Sequence, residues 1–218
     1  IVNYRYSFTG LLTSMGVDFG GESIGFQDLS FNVKKPLGDR GSLSFFGVGG
    51  LNFNNFDAKP YDESEVQKDR SDIYYDGKMG AIGARLEYQL GTGSWMLSGA
   101  VSSSDNVREQ NFYDQNQSMT GENESSSEST IYSFNTNYRF KAGKAQATVG
   151  SLVSIYRYQY FNQNTGTFTG TSPFIISFID ASEDVQYALI NPYVNFTYPF
   201  FNLIHFDLGL SYNYSSDS

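Results

Sequence analysis

Three side chains that could form a catalytic set lie near the end of the chain. His205, Asp207 and Ser211 are separated by even numbers of residues, so in an extended strand all three point to the same side. A Ser-His-Asp arrangement needs its side chains within hydrogen-bond reach, whereas residues two apart on a strand are separated by about 6.5–7 Å. We therefore predict that the protein is not an enzyme. A lipid hydrolase based on His205 stays open as an alternative.

Carboxylates are concentrated in the segment Ala58–Asp76. Their oxygens could bind a hard cation such as Ca²⁺, but their spacing is not that of an EF-hand loop. A solvated acidic loop is the favoured interpretation. We predict neither a metal site nor a cofactor.

Tyrosine is the other residue type with an evident binding chemistry, because its ring stacks on ligands while its hydroxyl forms hydrogen bonds. Six tyrosines are ligand-binding candidates in the connecting segments or at strand ends: Tyr61, Tyr74, Tyr75, Tyr113, Tyr158 and Tyr160. The run Tyr156–Phe161 could stack on a sugar or a siderophore. An aromatic belt at a membrane interface is the favoured interpretation of that run.

The elements that position these residues are strands, because apolar and polar residues alternate with period two through most of the sequence. The alternation is regular over residues 82–90, 132–140 and 204–214. It predicts nine strands, at roughly 1–8, 26–35, 42–53, 78–90, 95–104, 129–140, 145–160, 184–198 and 203–215. Strands of this length can cross a bilayer when tilted.

Composition excludes several other classes. The 218 residues are 39% hydrophobic, 17% aromatic and 17% charged. Ala, Leu, Glu and Lys are too scarce for a helical bundle, and the absence of Cys excludes disulfides and thiolate metal sites. Mean hydropathy is −0.37, and no stretch approaches the roughly 18 apolar residues of a spanning helix. The net charge of −9 argues against nucleic acid as a partner.

The connections between the predicted strands alternate in length. Four are short turns: Pro36–Gly41, Gly91–Ser94, Lys141–Lys144 and Pro199–Asn202. Four are long: Thr9–Gly25, Asn54–Gly77, Asp105–Glu128 and Phe161–Glu183. Short turns at one end and long loops at the other are typical of outer-membrane barrels. We therefore predict an all-β fold, an antiparallel transmembrane β-barrel segment with long extracellular loops and short periplasmic turns.

The alternation also assigns the two faces of the sheet. We predict that eight side chains face lipid: Leu86, Tyr88, Phe134, Tyr138, Ile204, Phe206, Leu208 and Leu210. Seven polar side chains are predicted to face the lumen: Arg5, Asp28, Arg85, Glu87, Arg139, His205 and Asp207. The charged members of this set could pair with one another or with a plug inside the barrel.

Several stretches resemble a known family. Asn3–Gly16 (NYRYSFTGLLTSMG), Phe26–Val33 (FQDLSFNV) and Gly41–Leu51 (GSLSFFGVGGL), with Asp69–Arg70 and Gly77–Ala84, resemble the barrel of a TonB-dependent receptor of the Bacteroidetes type. The match is dense over the first 100 residues or so and only architectural beyond them. The resemblance implies a barrel of about 22 strands that is filled by an N-terminal plug.

The resemblance also implies a function and a set of partners. Residues 1–218 are expected to be part of one outer-membrane barrel domain of a bacterial cell, with the plug and the remaining strands outside this sequence. The implied function is active uptake of a scarce ligand such as a siderophore, a glycan or a peptide. Implied partners are outer-membrane lipid and lipopolysaccharide, the TonB energy complex acting through the plug, and a surface lipoprotein. A passive porin-like small barrel is the main alternative.

Overall fold

One antiparallel sheet contains most of the chain. The computed structural model describes residues 1–7, 9, 11, 12, 15–17, 22–168, 174–200 and 204–217. The strands are β1 Val2–Tyr6, β2 Glu22–Leu37, β3 Gly41–Phe56, β4 Ser71–Leu90, β5 Gly93–Tyr113, β6 Met119–Ala142, β7 Ala145–Phe168, β8 Phe174–Phe200, β9 Ile204–Ser211 and β10 Tyr214–Asp217. Two 3-10 turns, Tyr61–Glu63 and Gln67–Arg70, lie between β3 and β4. The all-β prediction is confirmed. No helix among the described residues has the length and apolar character needed to cross a membrane.

Each strand from β1 to β8 pairs with its neighbours in sequence, and both β9 and β10 pair with β8. Within the described residues, β1 pairs only with β2, so the sheet is open and its two ends form no ladder with each other. This confirms the expectation that the first and last strands do not close a small barrel.

The strands are longer than the sequence predicts, and three of the predicted long loops are wrong in extent. Most of Asp105–Glu128 belongs to β5 and β6, which leaves the connection 114–118. Most of Phe161–Glu183 likewise belongs to β7 and β8. In Asn54–Gly77 the connection is reduced to residues 57–70. In residues 119–128 the sequence is polar at nearly every position, so this extension lacks the alternation in hydropathy that marks a strand.

The last predicted strand, 203–215, is two strands rather than one, so the described residues form ten strands where the sequence predicts nine. The break at residues 212–213 lies opposite Pro192 in β8. The Pro192 carbonyl accepts a hydrogen bond from the Tyr212 N–H at 3.1 Å. Proline has no N–H to return that bond, so the ladder is interrupted at this point.

Three of the four short turns contain a glycine with positive φ. The φ angles are 62° at Gly38, 60° at Gly91 and 67° at Gly143, in the left-handed region that glycine adopts without a steric penalty. Because consecutive strands are antiparallel, these turns lie at one end of the sheet and the connections 57–70 and 114–118 lie at the other. The fourth predicted short turn, Pro199–Asn202, lies partly outside the described residues.

Strand register places the two predicted sets of side chains on opposite faces. Residues that are partners across a ladder share a face, and neighbours along a strand alternate. By register, the eight positions predicted to meet lipid belong to one side of the ladder, which we call the apolar face. The seven polar residues, Arg5, Asp28, Arg85, Glu87, Arg139, His205 and Asp207, occupy positions on the other, which we call the polar face.

The apolar face has clear boundaries along the strand direction. One row joins Tyr88, Trp95 and Tyr138 near the short-turn end. A second row joins Lys78, Asp105 and then Glu128, Gln159 and Asp184. Ten residues of β5 separate the two rows, about 33 Å along the strand or about 25 Å across a bilayer at a tilt of about 40°. That height is the thickness of the apolar band of outer-membrane barrels.

We expect an Arg in the middle of this band to destabilise the full-length protein in lipid vesicles. Val101 lies on the apolar face near the middle of the band, and Ser102 lies next to it on the polar face. Val101→Arg is expected to lower the free energy of unfolding by about 2–4 kcal/mol because the charge enters hydrocarbon. Ser102→Arg is the matched control and should cost much less. Equal losses in a urea titration would mean that the faces are assigned wrongly.

Candidate functional site

The connection between β3 and β4 is an ordered segment fastened by one carboxylate. Asp69 accepts backbone N–H bonds from Glu65 at 3.0 Å and Val66 at 3.3 Å. Its carboxylate also pairs with the Lys59 ammonium at 3.4 Å, and the side chain is 9% exposed. The Lys59 N–H donates to the Asp69 carbonyl at 2.7 Å. This part of the acidic loop is therefore fixed by internal bonds instead of being a freely solvated chain.

The same bonds lower the pKa of Asp69, chiefly through the hydrogen bond from the Glu65 N–H. A lowered carboxyl pKa means that the ionised form stabilises the folded segment at neutral pH. That contribution is lost as the pH falls through the lowered pKa of Asp69.

Asp72 fastens the segment to β5. Its carboxylate accepts the Ala58 N–H at 2.7 Å and the Tyr113 hydroxyl at 2.5 Å. The bond from the phenol, together with burial, raises the pKa of Tyr113 to about 12. The Tyr74 hydroxyl donates to Asp57 at 3.3 Å, and burial with the charges of Asp72 and Asp57 raises its pKa too. Both tyrosines lie beyond the apolar band and act here as neutral donors.

Tyr61 completes this group at the long-connection end. The Arg70 guanidinium lies 4.4 Å from the centroid of its ring, and the Gln115 side-chain amide donates to its hydroxyl at 3.1 Å. A pocket of about 240 Å³ opens between Tyr61, Arg70, Asp72 and Tyr113. The structure thus brings two of the predicted ligand-binding tyrosines to one pocket and places Tyr74 beside it.

The remaining three predicted tyrosines lie elsewhere. Tyr75 is on the polar face of β4, where its hydroxyl donates to Asn106 at 2.9 Å. Tyr158 and Tyr160 are on the polar face of β7, with ring centroids 6.5 Å apart. The favoured interpretation of Tyr156–Phe161 as a lipid-facing belt is therefore wrong for residues 156, 158 and 160, because the register turns them away from the apolar face. Ligand binding by the six tyrosines stays a prediction.

The predicted charged residues of the polar face form pairs within the sheet. Arg5 and Asp28 form a salt bridge across β1 and β2, with 3.0 Å between nitrogen and oxygen. Arg85 pairs with Glu87, and the Lys34 ammonium approaches the Glu87 carboxylate at 3.5 Å. These pairs satisfy the charges without a second layer of protein.

Two of these residues share a cavity with Arg139. The cavity, of about 500 Å³, lies at the short-turn end and is lined by Arg85, Glu87 and Arg139.

Of the candidate catalytic residues, Asp207 has a described hydrogen bond. Asp207 accepts a hydrogen bond from the Thr197 hydroxyl of β8 at 2.6 Å. The side chain of His205 lies outside the part of the chain that the structure describes, so the hydrolase alternative stays a prediction. No group of three His, Cys, Asp or Glu residues in the described ranges could hold a metal ion.

One network of polar side chains is not predicted from the sequence. Asn123 of β6 donates to the side-chain oxygens of Asn162 at 2.9 Å and Asn164 at 2.7 Å. Both of those amides bond the carboxylate of Asp180, which is the extra residue of a bulge in β8. The period-two spacing of Asn162 and Asn164, directly after the alternating tyrosines of β7, is the signal that could have revealed it.

Solved structures provide the comparison, since no protein-family model matches the chain and no curated protein matches it. The fold is similar to that of the RagAB peptide transporter, with a TM-score of 0.54 at 9% identity over 88% of this chain and 28% of that chain. A weaker likeness is to the ferric preacinetobactin receptor BauA of Acinetobacter baumannii, with a TM-score of 0.46 at 10% identity over 97% of this chain and 39% of that chain. Another is to the siderophore receptor PiuA of the same organism, with a TM-score of 0.39 at 12% identity over 91% of this chain and 43% of that chain.

The described residues form an open, all-β antiparallel sheet whose fold is similar to part of the RagAB transporter structure. This chain spans 28% of the length of the transporter chain that it matches with the TM-score of 0.54.

We expect Asp69→Asn to loosen residues 57–70 of the full-length protein while leaving the sheet folded. The substitution keeps the size of the side chain but removes the charge that binds two N–H groups and Lys59. Trypsin at pH 8 should then cleave after Lys68 or Arg70 severalfold faster, as judged by peptide mass. Asp62→Asn, an exposed position in the same segment, is the control and should cleave at the wild-type rate. Unchanged cleavage in Asp69→Asn would contradict the fastening role.

Proposed function

We propose that the chain is part of the barrel of a TonB-dependent outer-membrane transporter of the Bacteroidetes type, which imports a scarce ligand into a bacterial cell. The carrying observation is a sheet whose apolar face is about 25 Å high and whose opposite face is polar, in a fold similar to a transporter. A closed barrel is required for such a sheet in lipid, because each unpaired backbone group there costs several kcal/mol. The open edges of β1 and β10 are therefore assigned to strands outside this sequence.

The apolar face supports contact with outer-membrane lipid. Trp95 donates from its indole nitrogen to Thr136 at 2.9 Å, and the Tyr138 hydroxyl donates to the Leu90 carbonyl at 3.1 Å. Aromatic rings with one polar end suit the boundary between acyl chains and headgroups. Beyond the other boundary row the strands continue into the zone of lipopolysaccharide headgroups.

The polar face supports a wet interior that holds a plug. Its charges are paired within the sheet at Arg5–Asp28 and Arg85–Glu87, so the face is stable in water and presents polar groups to whatever fills the barrel. In this proposal the TonB energy complex acts through the plug and a surface lipoprotein assists capture. The ligand passes unchanged, because the protein performs no covalent chemistry. The net charge of −9 keeps nucleic acid out of the set of partners.

Ion conductance separates this proposal from a passive porin. The full-length protein, purified and inserted into a planar lipid bilayer, is expected to carry no steady current because the plug fills the barrel. Urea added at the plug side should unfold the plug first and open a reversible conductance, since a barrel ladder unfolds at higher denaturant than a small domain. A porin measured in the same bilayer is the control. Steady ohmic channels without urea would favour the porin-like alternative.

A further inference from the structure

A wall of four tyrosines lies on the polar face of β7 and β8. The rings of Tyr158 and Tyr160 are nearly parallel, at 4° between planes and 6.5 Å between centroids. Tyr156 stacks on Tyr187 across the two strands at 4.6 Å and 11°. Tyr158 is 41% exposed. We call Tyr156, Tyr158, Tyr160 and Tyr187 the tyrosine wall.

The wall is not explained by contact with lipid. On β7 the residues that alternate with it are Ile155, Arg157 and Gln159, and these lie on the apolar-face side. The structure therefore leaves Tyr158 exposed and Tyr156, Tyr160 and Tyr187 half-buried on the face that should be wet, where contact with lipid supplies no reason for them. Exposed rings in such a place are typical of binding surfaces.

The surroundings of the wall are almost neutral. Ser129 and Val185 are the partners of Tyr158, and Ser127 and Glu183 are the partners of Tyr160. Farther along the same rows lie Ser104, bonded to Ser129 at 2.9 Å, and Asn106. Among these described partners Glu183 is the only ionisable side chain. The cations of the polar face at Arg85 and Arg139 lie toward the short-turn end. Arg108 of β5 lies on the polar face in the row of Ser125 and Asn162, one polar-face position beyond the row of Tyr160, and its guanidinium donates to Gln110 at 3.1 Å.

We propose that the tyrosine wall binds neutral oligosaccharides, which defines the substrate class of the transporter proposed above and rests on that proposal. The C–H face of a sugar ring carries partial positive charge and packs on the negative face of an aromatic ring. Sugar hydroxyls both donate and accept, which matches serine hydroxyls, asparagine amides and the Glu183 carboxylate. An anionic ferric chelate needs Lys or Arg as its partner, and the described partners of the wall supply neither.

Direct binding to the purified full-length protein tests the proposal without relying on transport. The probes are size-fractionated neutral oligosaccharides from glucan, mannan, galactan, xylan and fructan, measured by calorimetry. Oligogalacturonate, a mixed decapeptide pool and a ferric catecholate are the charged or non-sugar counterparts. We expect at least one neutral pool to bind and the three counterparts not to bind.

Variants of β7 locate the binding at the wall. Tyr158→Ala and Tyr160→Ala should each weaken binding about tenfold, the order of magnitude known for loss of one stacking ring. Tyr158→Phe keeps the ring and should stay within about threefold of wild type, since stacking rather than the hydroxyl carries the contact. Gln159 lies between the two tyrosines in sequence and on the opposite face of the sheet. Gln159→Ala should therefore bind the oligosaccharide like wild type. Heat-dependent gel mobility shows that each variant retains its barrel.

Three results would overturn the inference. These are no binding of any neutral pool, binding that Tyr158→Ala leaves unchanged, and binding of the peptide or ferric probe that Tyr158→Ala abolishes. The outcome is separate from the conductance test. A plugged, non-conducting protein that binds no sugar supports the transporter proposal and contradicts sugar binding by the wall. Steady channels in a protein that binds sugar at Tyr158 contradict the transporter proposal and support sugar binding by the wall.

Discussion

The backbone ladder is the constraint on which the rest of the molecule depends. In hydrocarbon every N–H and C=O must be bonded within the protein, and here consecutive strands meet that requirement with ladders of sixteen pairs between β2 and β3 and twenty between β4 and β5. Because the ladder bonds the backbone N–H and C=O groups without help from side chains, the side chains on each face can match the solvent that this face contacts. One face is then selected for lipid and the other for polar contacts. The effect of one missing donor on the ladder is local. Pro192 has no N–H, and the ladder is interrupted opposite it, between β9 and β10.

The same constraint explains how much of the fold could be predicted from sequence. Where lipid touches one face, the two faces differ in hydropathy, and alternation assigns residues such as Leu86, Phe134 and Leu208 correctly to a common face. Beyond the lipid boundary both faces meet water, so alternation disappears although the ladder continues. Residues 119–128 show this, because their Ser, Asn and Glu side chains indicate a loop while their backbone pairs with β5 and β7. Sequence pattern reports the solvent on each side of a strand, and it reports the strand only where those solvents differ.

The candidate site was harder to predict because its contacts depend on register between distant parts of the chain. Tyr113 and Asp72 are 41 positions apart, and only the alignment of β4 with β5 brings the phenol to the carboxylate. The faces of Tyr158 and Tyr160 were accessible in principle. Val153 and Ile155 fix the parity of β7, and continuing that parity by two or four residues puts the tyrosines on the opposite face. The tyrosine run taken by itself indicates an aromatic belt, whereas the parity of β7 places these residues on the polar face.

Two independent sets of bonds hold the two candidate binding regions, and this separates their physical roles. The tyrosine wall is carried by β7 and β8 in mid-ladder, so the spacing of its Cα atoms is fixed by strand geometry and cannot change without breaking backbone bonds. The segment 57–70 depends on the side chains of Asp69 and Asp72, each holding a few donors. Such a segment can open at a cost far below that of unfolding the sheet, because only a few bonds are lost. The two regions therefore differ in the free energy needed to rearrange them: the backbone under the tyrosine wall moves only when ladder bonds break, whereas the segment 57–70 moves when a few side-chain bonds break.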